Sequence, residues 1–367
     1  MKFVCNGLDL CDAILKVSKA VGIKTTNPVL EGVKITARED TVSFFATDLE
    51  LSIEKKIKAD VRIEGEAVVP GKYFADFVRK LDKEQVEITL NDKKQLKISY
   101  MDSEGFLQCL NAEEYPLIER VDTGKFFSLK QKECKDLIAK TVFSAATEDS
   151  RPILKGVLLD IKENEMTAVA LDGYRLSLVK KQVETSSGDA RLIVPARTLS
   201  EIAKLLNDPE ESVTVHLQKN SVMIEVEGTT IISRLLEGEF IRYEQIIPNE
   251  FTSQITVQRE QFENGLERAA ILSKNDKNNL VKFDVKEKVL TLVSNSEIGN
   301  IKENIPISLH GKDLLIAFNA RYFSEALKNT NEEFVRMNFT SAVSPCVIKP
   351  VEGEEFLFLI LPVRIVG

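Results

Sequence analysis

The sequence predicts an α+β fold: three similar domains in series, each two helices backed by antiparallel sheets. Three observations predict it. Val33, Val157 and Val281 stand 124 residues apart, each inside an apolar run. The segments VVPGKYFADFVRKL, IVPARTLSEIAKLL and AFNARYFSEALKNT recur with Lys72, Arg197 and Arg321 at matching places. Each is followed by a hairpin-like stretch: VEITLNDKKQLKISY, SVTVHLQKNSVMIEV and FVRMNFTSAVSPCVI. Self-similarity at a fixed step marks a chain built from repeated units. An arc of equal units is the kind of object that closes into a ring.

Each copy opens with a strand-like run and then a helix. In the first copy the helix is LDLCDAILKVSKAV, where Leu10, Ile14, Leu15, Val17 and Val21 give roughly one apolar face. LKQKECKDLIAKTVFSA and VQREQFENGLERAAIL take the same place in the second and third copies. Alternating strands follow, as in GVKITAREDTVSFFATDLELSI, with AREDT as the turn. GVLLDIKENEMTAVALDGYRLSLV and VKFDVKEKVLTLVSN show the same alternation. A second helix starts after VVP, IVP or AFN. In the first two copies proline lies just before the helix, where its missing N–H costs little. More strands finish each copy, about eight in all. Antiparallel hairpins with one polar face suit this plan, because the helices then need to cover only one side of the sheet. The expected domains are 1–122, 126–250 and 252–367, joined by polar connections near Val121–Lys125 and Asn249–Ser253.

Composition narrows the function classes. No apolar run reaches the roughly 18 residues that span a bilayer. Asp9 and Asp12 interrupt the stretch a signal peptide would need, so a cytoplasmic protein is expected. The cysteines Cys5, Cys11, Cys109, Cys134 and Cys346 are odd in number and show no metal-ligand spacing, which predicts reduced, mostly buried thiols. The two histidines, His216 and His310, sit in alternating stretches that read as strands. Two isolated histidines make His-based metal sites and a Ser-His-Asp triad poor expectations. Gly71–Lys72 superficially resembles a phosphate loop. Five residues separate Gly65 from Gly71, however, and Tyr73 follows the lysine where Ser or Thr should reach magnesium. Asp48 and Asp172 recur one copy apart, as turn residues kept by duplication would. No catalytic residues, cofactor or metal are expected.

A net charge of −8 taken whole argues against nucleic acid, but its distribution does not. Segments 10–24, 72–83, 130–140, 196–206, 261–277 and 320–328 together carry +8, leaving −16 on the rest. A basic helical lining and an acidic exterior would suit a duplex passing through a hole, held by phosphate contacts without base readout. The alternative is that the helices carry Lys and Arg simply as solvated faces.

The remaining motifs point to a family. The chain opens MKF and carries NPVL at 27–30, ATDLEL at 46–51, VVPGK at 68–72 and SRPILKGV at 150–157. LDGYRL at 171–176, VPARTL at 194–199, FNARYF at 318–323 and LPVR at 361–364 complete the set. Over its full length the chain resembles the bacterial sliding clamp, the beta subunit of the replicative DNA polymerase. The resemblance implies the DNA clamp fold, with each chain forming half of a closed ring. Two chains would join head to tail, with twelve helices lining the hole. It implies a processivity factor whose partners are duplex DNA, the polymerase catalytic subunit, an ATP-driven clamp loader and other proteins carrying a clamp-binding motif.

The resemblance also implies a partner-peptide pocket between the second and third domains. It carries over onto Arg151, Leu154, Leu171, Gly173, Tyr174, Arg175, Leu176, Ile241 and Ile246, and onto Asn319, Tyr322, Val343, Ser344, Leu361, Pro362, Val363 and Arg364. Leu154, Leu176, Ile246, Leu361 and Val363 would form an apolar slot, with arginines and backbone fixing the peptide's polar groups. The same apolar residues would serve equally well to fill a domain–domain seam. Three departures stand out: Leu171 where many members have Thr, Ile241 where Pro is common, and the added Ile365, Val366 and Gly367 after LPVR. The resemblance carries DNA-facing positions onto Lys24, Lys72, Arg79, Arg197, Lys274 and Lys277, and a dimer contact onto Phe106 with Ile271 and Leu272, three residues that would serve equally well as ordinary core. From a different class, a three-repeat peptide-binding scaffold that never encircles DNA fits the same repeats.

Overall fold

The computed structural model describes residues 1–23, 25–82, 84–116, 124–148, 150–273 and 279–364. Among the described residues six α-helices come in three pairs: α1 (Gly7–Val17) with α2 (Gly71–Val78), α3 (Gln131–Val142) with α4 (Ala196–Ala203), and α5 (Arg259–Ala269) with α6 (Ala320–Lys328). The leading helix of each pair lies on the corresponding strand of its own copy. α1 packs on Leu51–Lys58, α3 on Arg175–Gln182 and α5 on Gly299–Gly311. The triplication read from sequence is therefore a triplication of packing.

Helical periodicity explains which side each helix buries. α1 buries Gly7, Leu10, Ala13, Ile14 and Val17, a stripe spaced by three and four residues. Leu15 and Val21 lie off that stripe and stay half-buried. α1 stops at Val17, and a 3₁₀ turn over Ser18–Ala20 follows. α5 buries Phe262, Gly265, Leu266 and Ala269 on the same spacing. The residues Leu129–Lys130 and Val257–Gln258, grouped above with the helices, belong to the preceding strands, and Lys130 and Gln258 keep extended backbone. Side-chain caps close the starts of α1 and α6: Asn6 Oδ1 accepts from the Leu8 amide at 2.9 Å and Asn319 Oδ1 from the Arg321 amide at 3.0 Å.

The chain divides into two compact units. One is Met1–Ser128 with Lys204–Asn207 and Glu211–Leu235. The other is Leu129–Ala203 with Asp208–Glu210 and Leu236–Gly367. The first unit contains a five-stranded sheet ordered Asp60–Ile63, Lys2–Asn6, Gln85–Leu90, Gln95–Tyr100 and Ser103–Gln108. It also holds a run ordered Ser212–Leu217, Ser221–Val226, Thr229–Arg234, Leu51–Lys58, Thr41–Thr47, Gly32–Arg38 and Gly65–Pro70. The last hairpin of the second copy thus joins the first copy's sheet, with Ile231 opposite Ile53.

The second unit is built on one twelve-stranded antiparallel sheet. Within it, Arg175–Gln182 of the second copy pairs with Phe356–Ile360 of the third, placing Ser177 opposite Phe358. Its core under α5 and α6 is aromatic. Phe262, Phe283, Phe318 and Phe323 are fully buried with ring centroids 4.8–5.9 Å apart, mostly edge to face. Truncating any one of them to Ala would cost about 3–5 kcal/mol. His216 and His310 lie on the strands Ser212–Leu217 and Gly299–Gly311. The cysteines are unbridged, with Cys5, Cys134 and Cys346 buried and Cys11 and Cys109 half-buried.

Candidate functional site

The second unit brings together most of the residues carried over as a peptide pocket, and local chemistry sets the first of them. The turn after Glu165–Leu171 is closed by Asp172, whose Oδ1 accepts from the Tyr174 amide at 2.9 Å and the Arg175 amide at 3.1 Å. Gly173 takes φ +93°, a left-handed conformation that glycine enters without penalty. The turn leaves Tyr174 exposed and turns Arg175 inward, where only 8% of its side chain meets solvent.

A buried guanidinium needs carboxylates around it. Arg175 Nε donates to Asp172 Oδ2 at 3.0 Å, and Nη1 donates to Glu325 Oε2 of α6. The guanidinium also lies over the rings of Tyr322, at 4.8 Å, and Phe143, at 5.5 Å. Burial alone would push the Glu325 carboxyl up, but hydrogen bonds from Arg321 and Arg175 reverse this and hold it below its usual range. Burial and the nearby Asp172 push the Tyr322 phenol up. Tyr174 stacks on Tyr322, with ring centroids 6.0 Å apart and planes 20° from parallel.

The C-terminal segment is stitched across this corner. The Leu361 amide donates to the Tyr174 carbonyl and the Val363 amide to the Ala317 carbonyl, both at 2.8 Å. Beneath lies an apolar cluster in which Leu154, Leu171, Leu176, Phe240, Tyr243 and Leu359 are buried. Ile241 and Leu361 pack against its edge. Leu171 and Ile241, two of the three departures from the family pattern, are thus parts of this apolar wall, while the third, residues 365–367, lies outside the described residues. Pro362 and Val363 follow Leu361 in the half-buried tail, while Asn319 caps α6 one turn before Tyr322.

Other carried-over residues lie outside that cluster. Arg151, Gly173, Ile246, Val343 and Arg364 are exposed, and among the described residues it is Ile247, not Ile246, that packs against the cluster. Ser344 is half-buried in a turn where its hydroxyl meets that of Ser341 at 2.7 Å. Sequence reasoning missed Glu325, Phe143, Phe240 and Tyr243. Glu325 and Arg175 are 150 residues apart, so only the fold pairs them. The one local signal was the i, i+4 pair Arg321–Glu325 on a single helix, with Arg321 Nε donating to Glu325 Oε1 at 2.6 Å.

The helices carry a second set of candidates. Lys72 and Arg197 are each the second residue of the second helix in a copy, the place Arg321 takes in the third copy, and all three are exposed. Arg79 is exposed one turn after Asp76, to which it bonds at 2.7 Å. Lys24, Lys274 and Lys277 lie outside the described residues. Phe106 is 53% exposed on Ser103–Gln108, the end strand of its sheet. Ile271, just past α5, is 58% exposed, and Leu272 beside it is half-buried. Among the described residues no group of three or more His, Cys, Asp or Glu is placed to hold a metal, and no helix is long and apolar enough to cross a membrane.

The repeated architecture matches models of the DNA polymerase III beta subunit. Its N-terminal domain matches residues 1–119, its central domain 128–241 and its C-terminal domain 244–364. The chain belongs to the DNA polymerase III beta subunit family. A beta sliding clamp of Staphylococcus aureus is 33% identical over 356 residues, covering 94% of each chain. The crystal structure of the Bacillus subtilis DNA polymerase sliding clamp superposes with a TM-score of 0.95 at 31% identity, covering all of both chains. A Pseudomonas aeruginosa sliding clamp bound to griselimycin gives 0.93 at 25% identity, again over both whole chains. The family serves DNA replication, and this chain has its three-domain clamp fold.

Proposed function

We propose that two copies of this chain close head to tail into a ring around duplex DNA, forming a non-catalytic processivity factor of the cytoplasm. One observation carries the reading. The joint between successive copies is the same antiparallel strand pairing used twice: Thr229–Arg234 on Leu51–Lys58, and Phe356–Ile360 on Arg175–Gln182. The third such pairing would need the equivalent strands Ser103–Gln108 and Gly299–Pro306. Among the described residues, Ser103–Gln108 ends its sheet, and Gly299–Pro306 ladders only to Val289–Ser296. One chain therefore carries both halves of an unmade joint, and a second copy can complete it at both ends. Carrying the register over sets Glu104 opposite Lys302 of the partner subunit and Phe106 opposite Asn300 of the partner subunit. Exposed Phe106, with Ile271 and Leu272 of the other copy, would supply the apolar centre.

The repeating units of this ring would be domains 1–122, 126–250 and 252–367. Exposed Lys72, Arg79 and Arg197, with Lys24, Lys274 and Lys277, would meet phosphates without reading bases, which leaves the ring free to slide. The corner around Tyr174, Arg175, Tyr322 and Leu361 would receive short peptides from the polymerase catalytic subunit, the clamp loader and other partners. Its apolar wall and convergent polar groups support that use. Griselimycin, found on the Pseudomonas clamp, is expected to bind here too.

The test is topological. Loaded by a bacterial clamp loader with ATP onto nicked circular DNA, the protein should co-elute with the circle and be lost when the circle is linearised. Retention indifferent to linearisation would favour the peptide-binding scaffold.

A further inference from the structure

Glu325 was not among the residues expected in the pocket, yet it joins the pocket's deepest charge to its helix. Its two carboxylate oxygens serve different arginines: Oε2 accepts from buried Arg175, and Oε1 accepts from exposed Arg321 at 2.6 Å. Arg175 in turn lies 4.8 Å over Tyr322, the ring on which exposed Tyr174 stacks. From the geometry we infer that Glu325 is a positioning residue of the proposed peptide site. It holds Arg175 against Tyr322, and so fixes the stacked Tyr174–Tyr322 pair at the rim. The inference rests on the pocket reading above for its consequence, but not for its geometry.

Other contacts support this corner as well. Asp172 holds Arg175 from its own turn, but it contacts neither α6 nor Tyr322 through any described hydrogen bond. Gly173, at φ +93°, has no atom within 4 Å of where a Cβ would stand, and the Tyr174 carbonyl is held by the Leu361 amide at 2.8 Å. Buried Phe323 and Leu327 anchor α6 in the core and Arg175 also meets it over the Tyr322 ring; Glu325 adds the hydrogen-bonded ion pair that fixes where the guanidinium sits on that helix. An amide at this position would replace one of the two acceptor oxygens with an NH2 donor facing an arginine.

The chain contains no tryptophan, so Tyr174→Trp introduces a single indole at the rim. In that background, acrylamide quenching reads how firmly the ring is stacked, and added griselimycin reads the site. Glu325→Ala should raise the quenching constant about twofold and weaken griselimycin about tenfold, the scale of one lost charge-assisted hydrogen bond. Glu325→Gln, which keeps the shape and one acceptor, should fall between and carries the test should the alanine variant not fold. Arg321→Ala, which removes only the exposed arm, should leave both readings unchanged. Unchanged quenching and affinity in the Glu325 variants would overturn the inference, as would an equal effect from Arg321→Ala. Should griselimycin leave the parent indole's emission unaltered, the pocket reading fails, while the quenching series still judges Glu325.

Discussion

Asp48 and Asp172 each close the turn before the strand on which a helix rests, and each accepts two backbone amides with Oδ1. The residue that follows takes positive φ in both, Leu49 at +75° and Gly173 at +93°. Their recurrence in the sequence was legible as turn chemistry, because an aspartate that caps its own turn needs no distant partner. The second role of Asp172, as counter-ion to Arg175, was not legible. Nor was the depth of each cysteine. Burial pushes the Cys5 thiol up to about 12, with Asp9 adding to it, and burial alone pushes Cys134 to about 12. Thiolate is the reactive form. Titration of the native protein with a thiol reagent at pH 8 should therefore modify half-buried Cys11 and Cys109 first, with Cys5, Cys134 and Cys346 reacting only on unfolding. Immediate reaction of all five would contradict the burial described.

Helices show how far periodicity reaches. The apolar stripe of α1 was readable from Leu10, Ile14 and Val17, since spacings of three and four put them on one face. The contribution of Gly7 was not, because it depends on a loop 75 residues away. A Cβ on Gly7 would stand 2.2 Å from the Asp82 carbonyl oxygen, and the Gly7 amide donates to the Glu84 carbonyl at 3.0 Å. Alanine is the better helix former, so propensity alone predicts that Gly7→Ala stabilises α1. The close approach predicts the reverse, a loss of about 1–3 kcal/mol. Denaturant unfolding followed by circular dichroism decides between them, and a raised midpoint would show that the Asp82 loop can withdraw without cost.

At the scale of the molecule, the strand joints carry the proposed assembly. Opposite charges facing each other across an antiparallel pair contribute about 0.2–1 kcal/mol, and like charges cost a similar amount. A two-joint ring counts each pair twice. Glu104→Lys should therefore weaken the dimer by about fourfold to several hundredfold, and the double variant Glu104→Lys with Lys302→Glu should recover most of it. Sedimentation velocity across a dilution series measures both. No recovery in the double variant would mean that the register carried over from the two internal joints does not hold between copies.

The sequence by itself determined the three copies, the two helices in each, the turn aspartates, and a set of family motifs specific enough to mark the chain's class. These are legible because repetition, capping and periodicity are local, and neighbours in sequence enforce them. Only the tertiary structure decided that the last hairpin of the second copy shares a ladder with the first copy. It alone decided that Arg175 is buried between carboxylates from its own turn and from α6, and that Ile247 faces the apolar wall while Ile246 does not. Those outcomes depend on which strands meet and which side of a chain turns inward. Contacts between residues far apart in sequence are set by the free energy of the whole packed unit, and no single segment encodes them.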